Sequence, residues 1–162
     1  MPLFKLSKIC DVFGKRRSNI DAHGGSEILQ TYPSNIKISQ GSDKLQCIKL
    51  KNKGIDRWYA SCCKTPVANT MGSAKIPFAG VSIKLMKFAS EDEKSRILGP
   101  VIMKAFGRSA RGKMPEDAHA TFPKSFMFKM MKFMLIGKVG SKNRPSPFYE
   151  GNTPVAKAKV LS

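Results

Sequence analysis

Two adjacent cysteines, Cys62 and Cys63, have the residue type and spacing that best fit a chemical role in this chain. They end a strand-like run that begins at Arg57, and residues 64–66 follow as a turn that ends in proline. Neighbouring residues of a regular strand point to opposite faces, so both thiols reach one ion only if the backbone turns there. Thiolates bind zinc, and a structural zinc site needs four ligands. The pair therefore predicts half of a zinc site, and the alternative is one buried and one exposed thiol.

The remaining candidate ligands carry weaker signals. Cys10 lies far upstream of the pair, and Cys47 has the setting of a core thiol within a strand. His23 stands between Asp21 and the glycine pair at 24–25, a cluster that could bind a metal, move a proton or present N–H groups to an anion. The structural alternative is that His23 only bonds a neighbouring turn. The expected zinc ligands are Cys62 and Cys63, with Cys10 and His23 as weaker candidates.

Net charge limits the classes of partner. The chain has 29 Lys and Arg against 11 Asp and Glu, a formal charge of +18, which attracts nucleic acid, anionic lipid and small anionic substrates. These charges are spread along the chain and form no basic tail, so they supply affinity without specificity. The sequence has no phosphate-binding glycine loop, no G-x-S-x-G elbow and no H-E-x-x-H motif.

Short strands separated by turns dominate the first half of the chain, which predicts a mainly β fold. Candidate strands lie at 27–32, 35–39, 44–50, 56–61 and 78–86, with glycine-containing turns between them. A helix is expected from Ser90, a good N-cap residue followed by three acidic residues, to about Leu98.

The apolar segment 125–137 predicts a C-terminal amphipathic helix that ends at Gly137. Such a helix rises only about 20 Å, whereas a bilayer core is about 30 Å thick, so no transmembrane segment is expected. Two alternatives stay open for its Phe and Met side chains. They pack over the sheet, or they insert into an anionic membrane surface whose headgroups contact the lysines of the 124–142 segment.

One domain is expected from the length of 162 residues. Its parts are an N-terminal remnant, expected to be truncated, at 1–20, a β-rich core at 21–90, a helical and loop region at 91–143 and an extended tail at 144–162. The N-terminus lacks the apolar stretch of a secretory signal, so a cytoplasmic location is expected, with peripheral membrane attachment as an open addition. In that compartment the cysteines are expected to be reduced or metal-bound.

Four blocks of sequence resemble one known superfamily: DAHGGSEILQT at 21–31, GSDKLQC at 41–47, RWYASCCKTPVANT at 57–70 and RPSPF at 144–148. They look like an uncharacterised bacterial branch of the glutathione-dependent formaldehyde-activating enzyme and centromere protein V superfamily. The resemblance implies a β-tent of antiparallel sheets that carries zinc on cysteine thiolates. It also implies that Cys62 and Cys63 stand where the later cysteine pair of a structural zinc site belongs.

The chain departs from that superfamily in its other cysteines. It lacks the early C-x-C pair. It also lacks the C-x-C-x-x-C motif that would hold a catalytic zinc. If Cys10 is aligned with the last cysteine of that motif, Lys5 and Ser7 stand in place of the other two. A catalytic zinc needs about three protein ligands. We therefore expect a degenerate zinc site and little or no carbon–sulfur lyase activity, the condensation of glutathione with formaldehyde to S-hydroxymethylglutathione. A glutathione-like anionic thiol is the implied partner, and the alternative function is a basic module that binds nucleic acid or an anionic membrane surface.

Overall fold

A six-stranded sheet organises this chain, whose structure is a computed structural model that describes residues 3–5, 21–52 and 54–161. The strands are β1 (Leu3–Lys5), β2 (Ile28–Thr31), β3 (Lys37–Gln40), β4 (Leu45–Lys49), β5 (Ile55–Ala60), β6 (Thr65–Met71), β7 (Ala79–Ser82), β8 (Tyr149–Glu150), β9 (Thr153–Pro154) and β10 (Lys159–Val160). The helices are α1 (Glu91–Leu98) and α2 (Lys124–Val139). Within the described ranges the fold is therefore sheet-rich, as the sequence predicted, and contains two α-helices.

The central sheet has the strand order β10-β4-β5-β6-β7-β2. Strands β4 to β7 form an antiparallel meander, β2 pairs antiparallel with β7, and β10 pairs parallel with β4. Two smaller sheets accompany it, the parallel pair β1-β3 and the antiparallel pair β8-β9. Because short turns join β4 to β7, residues close in sequence form the middle of the sheet.

Strand β6 is the main element that the sequence did not predict. Pro66 suggested a turn over 64–66, but the turn covers residues 61–64 and the strand begins directly after it. Proline lacks the N–H that a sheet ladder uses, so it is tolerated near strand starts and bulges. Pro66 meets both conditions, because it is the second residue of β6 and pairs with Tyr59, where the β5–β6 register shifts.

The hydrophobic core includes buried side chains of the central sheet and Phe148 from the tail. Along β5 burial alternates, so that Trp58 and Ala60 point inward. Phe148 is fully buried against Trp58, with ring centroids 5.3 Å apart. The tail after residue 144 thus supplies a core aromatic as well as the β8-β9 hairpin.

Helix α1 begins as the sequence predicted. The Ser90 Oγ accepts a hydrogen bond from the Glu93 N–H at 3.1 Å, and the helix ends at Leu98, before Gly99. This is the N-cap arrangement that satisfies one of the four free N–H groups of a first helical turn.

Helix α2 was predicted to end at Gly137, but it continues to Val139. Gly137 has a packing role and does not end the helix. A Cβ on Gly137 would overlap Tyr32 Cε1 and lie 2.9 Å from Pro77 Cβ, so only glycine fits there without a shift. Tyr32 also stacks on Phe133 with centroids 4.1 Å apart, and its hydroxyl donates to the Phe133 carbonyl oxygen at 3.0 Å. No helix of the described ranges is long and apolar enough to cross a membrane.

Candidate functional site

A row of polar side chains crosses the inward face of the central sheet. Asp56 on β5 pairs in register with Thr70 on β6, and both are almost fully buried. On the other side, Cys47 of β4 pairs with Trp58, and the same antiparallel register continued by two residues sets Lys49 across from Asp56. Side chains two residues apart on a strand share a face, so the row follows from the alternation of each strand.

Tyr149 closes this row from the tail. Its hydroxyl donates to Asp56 Oδ2 at 2.5 Å and lies 2.9 Å from the Met71 carbonyl oxygen. The Thr70 Oγ1 is 3.5 Å from the same hydroxyl and accepts a hydrogen bond from Trp58 Nε1 at 2.9 Å. The side chains of β5, β6 and β8 therefore form one connected hydrogen-bond network, which fixes the position of the carboxylate.

The carboxylate of Asp56 is only partly neutralised. Its Oδ1 lies 3.0 Å from the Lys49 ammonium, with 5% of the Asp56 side chain and 19% of the Lys49 side chain exposed. Despite this proximity, Oδ1 makes no hydrogen bond of acceptable geometry with any described group. Buried acceptors are nearly always hydrogen-bonded, so an oxygen without such a bond has capacity for a donor from outside.

Two neighbouring groups are held in their neutral forms. Burial, followed by the hydrogen bond to Asp56, raises the pKa of Tyr149 above its usual value, so the phenol stays protonated and remains a donor. Burial, with the charge of Asp56 as the next cause, raises the pKa of Cys47 to about 12. Cys47 is therefore a neutral core thiol at neutral pH, as its strand setting predicted, because nucleophiles and metal ligands are thiolates.

Asp56 and Tyr149 line a cleft of about 600 Å³, here named the Asp56 cleft. This volume falls within the usual range of small-molecule sites. The wall carries three ammonium groups, from Lys49, Lys75 and Lys157, against the one carboxylate. The lining is therefore net positive and suits an anionic molecule that also carries a hydrogen-bond donor for Asp56.

The cysteine pair singled out in the sequence lies elsewhere, in the turn between β5 and β6. The two sulfurs of Cys62 and Cys63 are 4.0 Å apart, and Cys63 Sγ lies 3.0 Å from Thr65 Oγ1, to which it donates. The backbone does turn there, as the zinc hypothesis requires. Against the expectation of reduced thiols, Cys62 is in a disulfide, so it can act as a thiolate ligand only after reduction. Cys10 lies outside the described residues.

His23 belongs to a turn that the neighbouring carboxylate holds. Asp21 Oδ1 accepts hydrogen bonds from the backbone N–H groups of His23 and Gly25, each at 2.8 Å. The bond from Gly25 is the largest cause of the lowered pKa of Asp21. The backbone N–H of His23 is thus part of this hydrogen-bonded turn. Within the ranges described, no group of three or more His, Cys, Asp or Glu side chains is arranged to hold a metal ion.

The sequence patterns did not lead to a prediction of the Asp56 cleft, although the alternation along two strands pointed to some of its residues. Asp56 stands two residues before Trp58 in a predicted strand, which places a carboxylate on the same face as the most apolar side chain of that strand. Lys49 has the same relation to Cys47. Tyr149 gave no signal, because it is 93 residues from Asp56 and only the folded chain brings them together.

The comparisons with known proteins give a match to a family model alone. Neither the curated proteins nor the solved structures contain a match to this chain. The model of a family of unknown function, DUF6151, matches residues 6–159, which is nearly the whole chain and includes the cysteine pair and the Asp56 cleft. The chain therefore belongs to the DUF6151 family.

Proposed function

We propose that this protein binds a small anionic molecule, of the class of glutathione and related thiols, in the Asp56 cleft. The observation that carries the proposal is the buried carboxylate of Asp56, which lines the same cleft as three lysines and retains an oxygen without a good hydrogen bond. Burying a charged group costs free energy even when one lysine pairs with it, so a buried carboxylate that lines a cleft is a candidate for contact with a ligand.

The chemistry of the lining matches such a ligand group by group. Glutathione carries two carboxylates, one ammonium group and one thiol. The ammonium groups of Lys75 and Lys157 would pair with carboxylates, and Asp56 Oδ1 would accept a hydrogen bond from an N–H or S–H group. The positive field of the whole chain would raise the local concentration of the anion. A cytoplasmic location is part of the proposal, because glutathione is a principal thiol of that compartment.

We further propose that the chain descends from the β-tent lineage of the formaldehyde-activating enzymes and has lost most or all of their lyase activity. The antiparallel meander and the turn at Cys62 and Cys63 support the lineage. The neutral state of Cys47 supports the loss, because it removes a thiolate from the set that could hold zinc.

Calorimetric titration with glutathione at low ionic strength tests the binding proposal. We expect saturable binding that weakens about tenfold or more in Lys75→Met and in Lys157→Met, because each change removes one of the two ammonium groups assigned to the ligand's carboxylates. Lys44→Met is the matched control, because that lysine lies on the surface and pairs with Asp43. An absence of saturable heat with glutathione and with succinate, or an equal loss of affinity in Lys44→Met, would contradict the proposal.

Zinc analysis and an activity assay test the proposed loss of catalysis. We expect substoichiometric zinc in protein purified under reducing conditions, and no acceleration of S-hydroxymethylglutathione formation when glutathione and formaldehyde are followed by NMR. One equivalent of zinc that is lost in Cys63→Ser would show an intact site instead. This result would leave the anion-binding proposal standing, because the cysteine pair is not among the residues that line the Asp56 cleft.

A further inference from the structure

Helix α2 exposes a continuous apolar stripe on the side that faces away from the protein. Phe128, Met131, Leu135 and Val139 are 73%, 56%, 64% and 82% exposed. Their spacing of three, four and four residues places them on one face of a helix. These four residues, here named the α2 stripe, form an unusually apolar surface, since exposed faces of helices in globular proteins are normally polar.

The opposite face of α2 is already used for packing. The more buried positions of the helix recur every three or four residues and are Phe126, Met130, Phe133, Met134 and Gly137. Phe133 stacks on Tyr32, which anchors the helix to the body of the protein. The α2 stripe is therefore a second apolar face that the packing of the helix on the sheet side does not explain.

Lysines flank the α2 stripe and acidic residues are absent from the whole segment. Lys124, Lys129, Lys132 and Lys138 are exposed on the same helix, and Lys142 follows in the next turn. The sequence has no Asp or Glu between Asp117 and Glu150. The surface that contains the stripe is therefore strongly cationic as well as apolar.

We propose that the α2 stripe docks this protein on an anionic lipid surface. Apolar side chains enter the boundary between headgroups and acyl chains while the flanking lysines contact anionic headgroups, which is how amphipathic helices bind in the membrane plane. The 16 residues of α2 give a length of about 24 Å, which is shorter than the bilayer core of about 30 Å. The helix would therefore lie along the membrane surface and would not cross it. The inference does not depend on the Asp56 cleft.

Charge and shape favour lipid over the other occupants of such a face. A second copy of the chain would bring two sets of five lysines together, and like charges across an interface cost several kcal/mol. Nucleic acid would pair with the lysines but would leave Phe128 and Leu135 without an apolar environment. The stripe lies on the convex surface of a helix, which a fluid bilayer accommodates without a preformed groove.

Co-sedimentation of the full chain with vesicles tests the proposal. We expect binding to vesicles of phosphatidylcholine with about one third phosphatidylglycerol and much weaker binding to phosphatidylcholine alone. Phe128→Gln with Leu135→Gln should lower the partition coefficient about tenfold or more, because both apolar contacts are lost. Ile102→Gln is the matched control, since Ile102 is 75% exposed and lies in a loop that is not part of α2.

Charge variants separate the two parts of the docking surface. Lys132→Gln should weaken binding to the anionic vesicles about fivefold. Lys113→Gln, which removes an exposed charge outside α2, should change this binding much less. Vesicle binding that the Phe128 and Leu135 changes leave intact would overturn the proposal. A dimer in analytical ultracentrifugation that these changes abolish, without vesicle binding by the wild-type chain, would overturn it in favour of a self-interface. Binding to a DNA duplex that displaces the vesicles and survives the double change would overturn it in favour of nucleic acid.

Discussion

Replacing Tyr149 with phenylalanine tests the network that positions Asp56. The substitution removes only the hydroxyl, which donates to Asp56 Oδ2 at 2.5 Å, and it leaves the ring beside Trp58, at a centroid distance of 5.9 Å. The apolar packing of the ring is therefore retained. Any change in stability reports on the hydrogen bonds of the hydroxyl.

The expected loss is about 2 kcal/mol in the free energy of unfolding. A hydrogen bond to a charged group contributes about 1.5–3 kcal/mol, and the carboxylate of Asp56 is almost fully buried, so water does not replace the lost donor easily. Lys49 remains 3.0 Å from Oδ1 and keeps the charge partly compensated. This compensation places the expected value in the lower half of that range.

Urea denaturation followed by fluorescence measures the loss, because Trp58 is the only tryptophan and is buried next to the network. Tyr59→Phe is the control, since Tyr59 lies on the other face of β5, and we expect a change below about 0.5 kcal/mol. A double-mutant cycle with Asp56→Asn should give a coupling energy of about 1 kcal/mol or more. Equal stabilities of Tyr149→Phe and Tyr59→Phe, or a coupling energy near zero, would refute the network as a stabilising unit.

Two further predictions concern the core and the helix packing. Because folding raises the pKa of Cys47 from 9.0 to about 12, its contribution to stability is complete below pH 9 and is lost as the pH rises toward 12, at about 1.4 kcal/mol per pH unit. Cys47→Ala should therefore flatten the fall of the unfolding free energy between pH 9 and 10, and an unchanged slope would contradict the assignment. Gly137→Ala should destabilise the fold by about 1–2 kcal/mol in urea denaturation, because overlap with Tyr32 outweighs the higher helix propensity of alanine. Ser125→Ala, on the exposed side of α2, should show no such loss, and equal stability of the two variants would argue against the close approach at Gly137.

Local signals accounted for the elements that the sequence predicted correctly. Helix α1 was predicted from its N-cap at Ser90, and strands β4 and β5 from the turn residues between the strands, because capping and turn signals act over only a few residues. The same local view failed at Pro66 and Gly137. Each is a residue that often ends an element, and in each case a partner distant in sequence, or a shift of register, made it compatible with the element interior.

The sequence by itself determined the sheet-rich character and the strong positive charge, since these depend on composition and on neighbours along the chain. Only the tertiary structure decided where a ligand could bind. The register of β4, β5 and β6 set Lys49, Asp56 and Thr70 in one row, and the tail brought Tyr149 across 93 residues to complete it. Such a site depends on long-range pairing, because the free energy that holds a buried carboxylate in place comes from partners that are adjacent only after folding.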